Sequence, residues 1–227
     1  VFGDNYKFLA NKDLLTFEEV FFISTAFVNL GVEKIRLTGG EPLLRKNIEN
    51  LVKVLSSLRT VENKPVEIAV TTNGALLYNK AKSLLDAGLK RITVSLDSLN
   101  QKIFETISDT NVSVKQVLKG IDYAKKIGLG VKVNMVVRKG LNEDQIIPMA
   151  RYFKNNGITL RFIEFMDVGS SNSWKKEKVV TSIEILNLLK KEFKLTYKGR
   201  DIANEVSEKW QYDCEDTYIG LISSVTN

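Results

Sequence analysis

A repeated alternation of short β-rich runs with helical segments limits the possible folds of this 227-residue chain more than any other feature. Polar residues followed three positions later by Glu or Gln indicate helix starts at Thr16, Ser113, Asn142 and Thr181. Helix ends are indicated by Gly31, Gly88, Gly128 and Gly157. The β-rich runs cover residues 33–38, 66–71, 90–95, 131–137 and 159–164. Strands that alternate with helices form parallel sheets with right-handed crossovers, so the pattern predicts an α/β fold.

The pattern weakens near the end of the chain. Residues 199–216 are polar and are predicted to be irregular, and residues 217–226 resemble one more strand. We therefore predict a change of structure after Lys198.

The predicted strands are apolar on one face only. Ile35 and Leu37, for example, alternate with Lys34 and Arg36. The same face carries Thr38, Glu67, Ala69, Thr71, Asn73, Arg91, Thr93, Ser95, Asp97, Lys132, Asn134 and Arg161. A curved sheet with helices outside and a polar concave side fits this alternation, which predicts a full or partial βα-barrel that binds ligands at the carboxyl ends of its strands.

Several cations lie on that polar face, namely Lys34, Arg36, Lys132 and Arg161. Burying them together would cost several kcal/mol per ion without compensation. A multiply charged anion would compensate them. The alternative is that they form structural ion pairs with Glu67, Asp97 and Glu164.

Composition excludes many kinds of site. The chain has no histidine and one cysteine, Cys214, so a Ser-His-Asp triad, a zinc protease site and a structural zinc site are excluded. No apolar run reaches the length of a membrane span, which predicts a water-soluble protein without a membrane partner. The net charge of +6 favours anionic partners but is too small to indicate nucleic acid.

Two turns follow strands and carry glycine, at Thr38–Pro42 (TGGEP) and Thr71–Gly74 (TTNG). Glycine lets the backbone approach a ligand closely, but each turn alone is also consistent with a simple strand-to-helix connection. Lys132 could instead act as a Schiff-base nucleophile, although nothing nearby indicates a base for it.

Together these segments resemble the radical S-adenosylmethionine (SAM) enzymes and, within them, the GTP 3',8-cyclases of molybdenum cofactor biosynthesis. The resemblance depends on KIRLTGGEPLLR (34–45), TTNG (71–74), VSLDSL (94–99), VKVN (131–134) and LRFIEFMDVG (160–169). It extends over essentially the whole chain, from Val1 to Thr226.

The resemblance implies a partial (β/α)6 TIM-like barrel whose first strand would precede Val1, leaving an unpaired sheet edge. It implies a barrel core over residues 1–198 and, over 199–227, the start of a C-terminal region that carries a second iron–sulfur cluster in the family. By position, SAM would be contacted by Gly40, Ser95 and Met166. GTP would be contacted by Arg36, Thr71 and Lys132, with Lys34 and Arg161 as further phosphate or substrate contacts.

The activity that the resemblance implies is a lyase reaction. In the family, a 4Fe-4S cluster cleaves SAM, the 5'-deoxyadenosyl radical removes the 3' hydrogen of GTP, and the ribose radical attacks guanine C8 to give 3',8-cyclo-7,8-dihydro-GTP. The family also implies pyranopterin monophosphate synthase as the downstream partner, and we expect a homodimer. The compartment would be cytoplasmic in a prokaryote and mitochondrial in a eukaryote.

The sequence departs from the family in its cysteines. The family holds two 4Fe-4S clusters in cysteine segments that would lie before Val1 and after Asn227, and Cys214 matches none of them. We therefore predict no metal ligand and no catalytic residue within this chain, and no activity from this chain alone. The alternatives are another radical SAM enzyme, or a non-catalytic nucleotide-binding or RNA-binding module, although nucleic acid is not the expected partner.

Overall fold

A computed structural model describes residues 13–108, 112–167, 174–200, 206–213 and 215–223. Within these ranges the α-helices are α1 (Phe17–Asn29), α2 (Ile48–Ser56), α3 (Leu77–Asp86), α4 (Gln101–Ser108), α5 (Val114–Lys126), α6 (Ile146–Asn155) and α7 (Ser182–Glu192). The strands are β1 (Lys34–Leu37), β2 (Glu67–Thr72), β3 (Arg91–Ser95), β4 (Gly130–Val137), β5 (Thr159–Glu164), β6 (Leu195–Gly199), β7 (Ser207–Tyr212) and β8 (Tyr218–Ile222). No helix in the described ranges is both long and apolar enough to cross a membrane.

The chain divides into two compact units, and the first comprises Asp4–Val94 and Lys115–Val131. In it β1 pairs with β2 and β2 with β3, all parallel. Completely buried side chains from these strands and from α2 and α3 form its core, among them Val52, Leu55, Val70, Leu84 and Val94.

The second unit comprises Val1–Gly3, Ser95–Val114 and Lys132–Asn227. Here β5 pairs in parallel with β4 on one side and with β8 on the other, while β7 pairs antiparallel with both β8 and β6. Its core is formed by completely buried residues such as Met135, Phe153, Phe162, Ile185 and Ile219.

The predicted α/β class with parallel pairing is confirmed. The five predicted strands agree with β1–β5 to within one residue at each end. Burial alternates strictly in β5. In β2, Ala69 on the polar face is also buried, because it lies in register between Arg36 and Arg91, whose long side chains flank it.

The prediction for residues 199–216 is wrong where the structure describes them. β7 lies in this stretch and forms an antiparallel pair with β6, so the segment is not irregular. Four of the six residues of β7 are only half-buried, so the strand lacks the apolar alternation that would have indicated it. The Tyr197 and Trp210 rings instead pack against each other, 5.1 Å between centroids, with the Lys190 ammonium over the Trp210 ring.

The predicted boundary between residues 198 and 199 stays a prediction. β6 runs across it, and β8 pairs with β5. The predicted strand at 217–226 corresponds to β8, and its residues 224–226 lie outside the described ranges.

Two of the predicted helix caps form as expected. Thr16 and Thr181 each accept a hydrogen bond from the backbone N–H of the Glu three residues later, whose carboxylate accepts one in return. At Asn142 a helical segment does begin, as a 3₁₀ turn (Glu143–Gln145) that continues directly into α6. The predicted side-chain cap is absent there, because the Asn142 amide donates to the backbone carbonyls of Asp97 and Val136. Gly31, Gly88, Gly128 and Gly157 all have positive φ, as a helix end requires.

The cap of α7 provides a test of this local structure. Replacing Thr181→Ala removes the acceptor for the Glu184 N–H, so we expect the free energy of unfolding to fall by about 1 kcal/mol in urea denaturation. Thr181→Ser keeps the oxygen and serves as the control. An equal loss in both variants would contradict the capping role.

Candidate functional site

Arg36, a cation of the first unit, has its described contacts with neutral hydroxyl groups. Its Nη1 donates to the Thr71 hydroxyl at 2.9 Å and reaches the Thr93 hydroxyl at 3.4 Å. The side chain thus crosses from β1 over β2 to β3. Within the described ranges Arg36 forms no ion pair. The structure therefore brings Arg36 and Thr71 together and leaves the exposed guanidinium without a carboxylate partner in the described ranges.

Lys34 is held differently. Its ammonium lies 3.4 Å from the Glu67 carboxylate, which also pairs with the Arg91 guanidinium. All three side chains are more than a third exposed, so these ion pairs are weak and exchangeable. The alternative of structural ion pairs therefore describes Lys34 but not Arg36.

The TGGEP turn is open to solvent. Thr38, Gly39 and Gly40 are exposed, and Gly39 has a φ of +145°, a conformation that side chains disfavour. Pro42 begins a 3₁₀ turn, and the buried Leu43 anchors it. The backbone of both glycines is therefore accessible to a ligand.

Glu41 fixes that turn to the end of β2. Its Oε1 accepts hydrogen bonds from the Leu43 N–H (3.0 Å) and the Thr72 hydroxyl (2.6 Å), and its Oε2 accepts one from the Asn73 N–H (2.7 Å). The Thr72 hydroxyl in turn accepts from the Gly74 N–H. One carboxylate thus links the two turns TGGEP and TTNG, which the sequence had indicated separately.

Glu41 was not among the predicted site residues. A carboxylate directly after a Gly-Gly pair, with polar residues at the end of the next strand, was a signal that could have indicated it.

In the second unit, Ser95 ends β3 next to a buried polar cluster. The Asp97 carboxylate accepts a hydrogen bond from the Val136 N–H at 2.7 Å. The completely buried Asn142 donates to the carbonyls of Asp97 and Val136, both at 2.9 Å. Burial raises the pKa of Asp97 from 3.8 to about 6, and the Val136 N–H partly opposes this rise.

Lys132 and Arg161 lie on neighbouring strands of the same unit. Arg161 is in register with Asn134, and its Nε donates to the Asn134 amide oxygen at 2.9 Å. Lys132 lies two residues before Asn134 on β4, on the same face of the sheet, and is half-buried. Asn134 and Asp97 were recognised as polar-face residues but not as site residues.

Met166 lies two residues after β5 and is half-buried. The Trp174 indole N–H donates to the carbonyl of the neighbouring Phe165 at 3.1 Å, and the Arg138 guanidinium lies over the Phe165 ring. These contacts fix the backbone next to Met166.

The eight residues predicted to contact SAM or GTP are divided equally between the two units. Lys34, Arg36, Gly40 and Thr71 lie in the first unit, and Ser95, Lys132, Arg161 and Met166 lie in the second. Their ligand roles stay predictions. Among the described residues no group of three or more Cys, Asp or Glu side chains could hold a metal ion, and Cys214 lies outside these residues.

The Glu41 contacts predict a large effect on stability. Glu41→Ala leaves the buried Thr72 hydroxyl and the Asn73 N–H without their acceptor, so we expect the free energy of unfolding in urea to fall by about 2–4 kcal/mol. Glu41→Gln keeps one acceptor oxygen, so its free energy of unfolding should lie between those of wild type and Glu41→Ala. The exposed Glu33→Ala is the matched control, expected within about 0.5 kcal/mol of wild type. Equal stability of both alanine variants would contradict the role of Glu41 in linking the two turns.

Asp97 predicts a pH dependence. Because its pKa is higher in the folded than in the unfolded state, its favourable contribution is complete below the unfolded pKa and is lost as the pH rises through about 6. The side chain in Asp97→Asn stays neutral at both pH values. The free energy of unfolding of the variant, relative to wild type, should therefore be about 3 kcal/mol higher at pH 7 than at pH 3.5. Urea denaturation at both pH values tests this, with the exposed Asp122→Asn as control. A pH-independent difference would contradict it.

Comparison with known families places two models on the chain. The model of the radical SAM superfamily matches residues 4–153, and the model named Molybdenum Cofactor Synthesis C matches residues 158–227. The break between the two matches falls just before β5.

Similar proteins were found among bacterial sequences. A protein named GTP 3',8-cyclase from Staphylococcus epidermidis RP62A is 47% identical over 226 residues, and one of the same name from Staphylococcus saprophyticus is 44% identical. Both alignments cover 100% of this chain and 65% of the relative, so the chain spans just under two thirds of the length of these relatives.

Among solved structures, SuiB from Streptococcus suis, determined bound to S-adenosylmethionine, shares the fold. The TM-score is 0.66 at 20% sequence identity, and the match covers 82% of this chain and 41% of SuiB. This agrees with the predicted partial TIM-like barrel class. Since the superfamily model matches more than half of the 227 residues and the fold agrees with it, the chain belongs to the radical SAM superfamily.

Proposed function

We propose that this chain functions in molybdenum cofactor biosynthesis as a GTP 3',8-cyclase, a lyase that binds GTP and SAM. The relatives that carry this name and the Molybdenum Cofactor Synthesis C match support the proposal. The structural observation that carries it is the Arg36 guanidinium, which is held by two hydroxyls and paired with no carboxylate in the described ranges.

GTP fits this arrangement because its triphosphate would supply a negative partner for Arg36, which pairs with no carboxylate in the described ranges. An arginine has five N–H donors, and the described contacts to Thr71 and Thr93 use only Nη1. Nε and Nη2 are therefore available for two bonds to phosphate oxygens, which is the bidentate geometry that guanidinium groups favour. Thr71 both orients Arg36 and lies within reach of the same ligand.

The other cations predicted to contact GTP would also bind its phosphate groups. Lys132 and Arg161 would add positive charge toward the triphosphate, and Lys34 would exchange its weak pair with Glu67 for a phosphate oxygen. Each of these cations would screen part of the triphosphate charge.

The residues of this chain also suit SAM. The exposed glycine backbone at Gly40, fixed by Glu41, would hold the methionyl amino group, while Ser95 and Met166 would contact the rest of the cofactor, including the adenine. When bound and given one electron by an iron–sulfur cluster, SAM would release methionine and supply the 5'-deoxyadenosyl radical that abstracts hydrogen from the substrate. An iron–sulfur cluster requires several thiolates, and the single cysteine of these 227 residues does not provide them. In this proposal the residues described above bind and orient SAM and GTP.

Calorimetric titration with GTP and with guanosine tests the substrate. We expect GTP to bind more tightly than guanosine, and Arg36→Ala to weaken GTP binding by about 10- to 100-fold because it removes a charge-assisted contact. Guanosine binding should not change. Arg151→Ala is the matched control, since Arg151 pairs with Glu192 on the surface and is assigned no ligand role.

Three outcomes would redirect the assignment. Equal GTP affinity of wild type and Arg36→Ala would show that this arginine does not bind the substrate. Binding of SAM without any binding of GTP would favour another radical SAM enzyme. Oligonucleotide binding that falls steeply with salt, with no preference for free GTP, would favour an RNA-binding module.

A further inference from the structure

Gly220 lies at the centre of a row of residues that crosses four strands. On β8 it is in register with Arg161 of β5 on one side and with Lys209 of β7 on the other, and Arg161 is in register with Asn134 of β4. Residues directly opposite one another in a sheet project from the same face, so Gly220 leaves a gap between two long cationic side chains.

Backbone conformation does not explain a glycine at this position. Gly220 is not among the described glycines with positive φ, so its backbone is one that any residue can adopt. A glycine within a strand weakens it, because glycine has no side chain to pack. The explanation must therefore lie in the space around the residue.

The Arg161 side chain occupies that space. A Cβ atom placed on Gly220 would lie 2.6 Å from the Cγ and 3.2 Å from the Cδ of Arg161, and 2.5 Å from the Ser207 hydroxyl oxygen. Distances this short are not compatible with van der Waals packing. Ser207 is almost completely buried, so it has little room to move. Any side chain at position 220 would therefore displace the aliphatic part of Arg161.

The path across Gly220 determines where the Arg161 guanidinium lies. Its stem passes over β8 while its Nε donates to Asn134 on the opposite neighbour, β4. The stem and the Nε are thus fixed from two sides, which orients the two terminal nitrogens before any ligand binds. Holding a binding group in its bound geometry increases affinity, because less conformational entropy is lost on binding.

We propose that Gly220 is a positioning residue for Arg161, and that its missing side chain sets the guanidinium for a phosphate group of the nucleotide substrate. This inference rests on the proposed function, in which Arg161 contacts GTP. Gly220 itself touches no ligand, and its effect is transmitted entirely through the stem of Arg161.

The test is a double-mutant cycle measured by calorimetric titration with GTP and with guanosine. We expect Gly220→Ala to weaken GTP binding about tenfold, as the loss of one well-placed charge-assisted contact would, and to leave guanosine binding unchanged. In an Arg161→Ala background the same glycine substitution should have no further effect, because the stem it displaces is absent.

Gly130→Ala is the matched control. Gly130 is also a strand glycine without positive φ, and its added Cβ would lie 3.1 Å from the Lys90 carbonyl oxygen and 3.3 Å from the Cγ of another arginine, Arg91. Because Arg91 is assigned no role in binding, GTP affinity should stay at the wild-type value.

If Gly220→Ala fails to fold, the cycle is repeated with Ser207→Ala as the parent, which removes the oxygen that the new methyl group would strike and leaves the contact with Arg161. Urea denaturation verifies that each variant is folded.

The outcomes separate the two proposals. Additive effects of the Gly220 and Arg161 substitutions, or an equal loss of GTP and guanosine binding, would overturn the positioning role. So would unchanged GTP affinity in Gly220→Ala alongside a weakened Arg161→Ala. A wild-type chain that does not bind GTP overturns the proposed function itself and the inference with it.

Discussion

The groups that contact a cation on a sheet face decide how much of its charge remains available to a ligand. Arg36 is held by the hydroxyls of Thr71 and Thr93, which accept hydrogen bonds but carry no charge. A carboxylate in the same place would orient the guanidinium equally well, yet it would neutralise the guanidinium and repel an anionic ligand. Neutral acceptors orient the cation and leave its charge for the ligand.

The same distinction separates the cations of this chain. Lys34 and Arg91, at the start of their strands, share the Glu67 carboxylate, whereas the described contact of Arg161 is to the neutral Asn134 amide. The carboxylate of Glu41 faces hydrogen-bond donors only, and it fixes backbone and a hydroxyl. The Glu41 carboxylate thus supports the framework, whereas Lys34, although assigned to the ligand, shares the Glu67 carboxylate with Arg91 in weak, partly exposed pairs.

The sequence predicted those parts of the structure that local chemistry determines. The strands β1–β5 follow from alternating side chains, and the caps at Thr16 and Thr181 depend on residues only three positions apart. Asn142 fits the same cap pattern, but its side chain is drawn to carbonyls that only the tertiary structure brings near it. The pairing of β6 with β7 was missed because most of its residues are exposed or half-buried, and the tilted contact of the Tyr197 and Trp210 rings joins residues on different strands.

The roles of Glu41 and Gly220 show why a site is harder to predict than a fold. Both residues act across strands, Glu41 over 31 and 32 positions of sequence and Gly220 through a register that joins β5 to β8. A motif can mark Glu41, because a Gly-Gly pair precedes it. No neighbouring residue in the sequence indicates the role of Gly220. The proposed role depends on the lack of a Cβ atom at the position where the Arg161 side chain passes. Such residues become visible only when the opposing side chain is known, and mutational tests of arginine-lined sites should therefore include the small residues beneath the arginines.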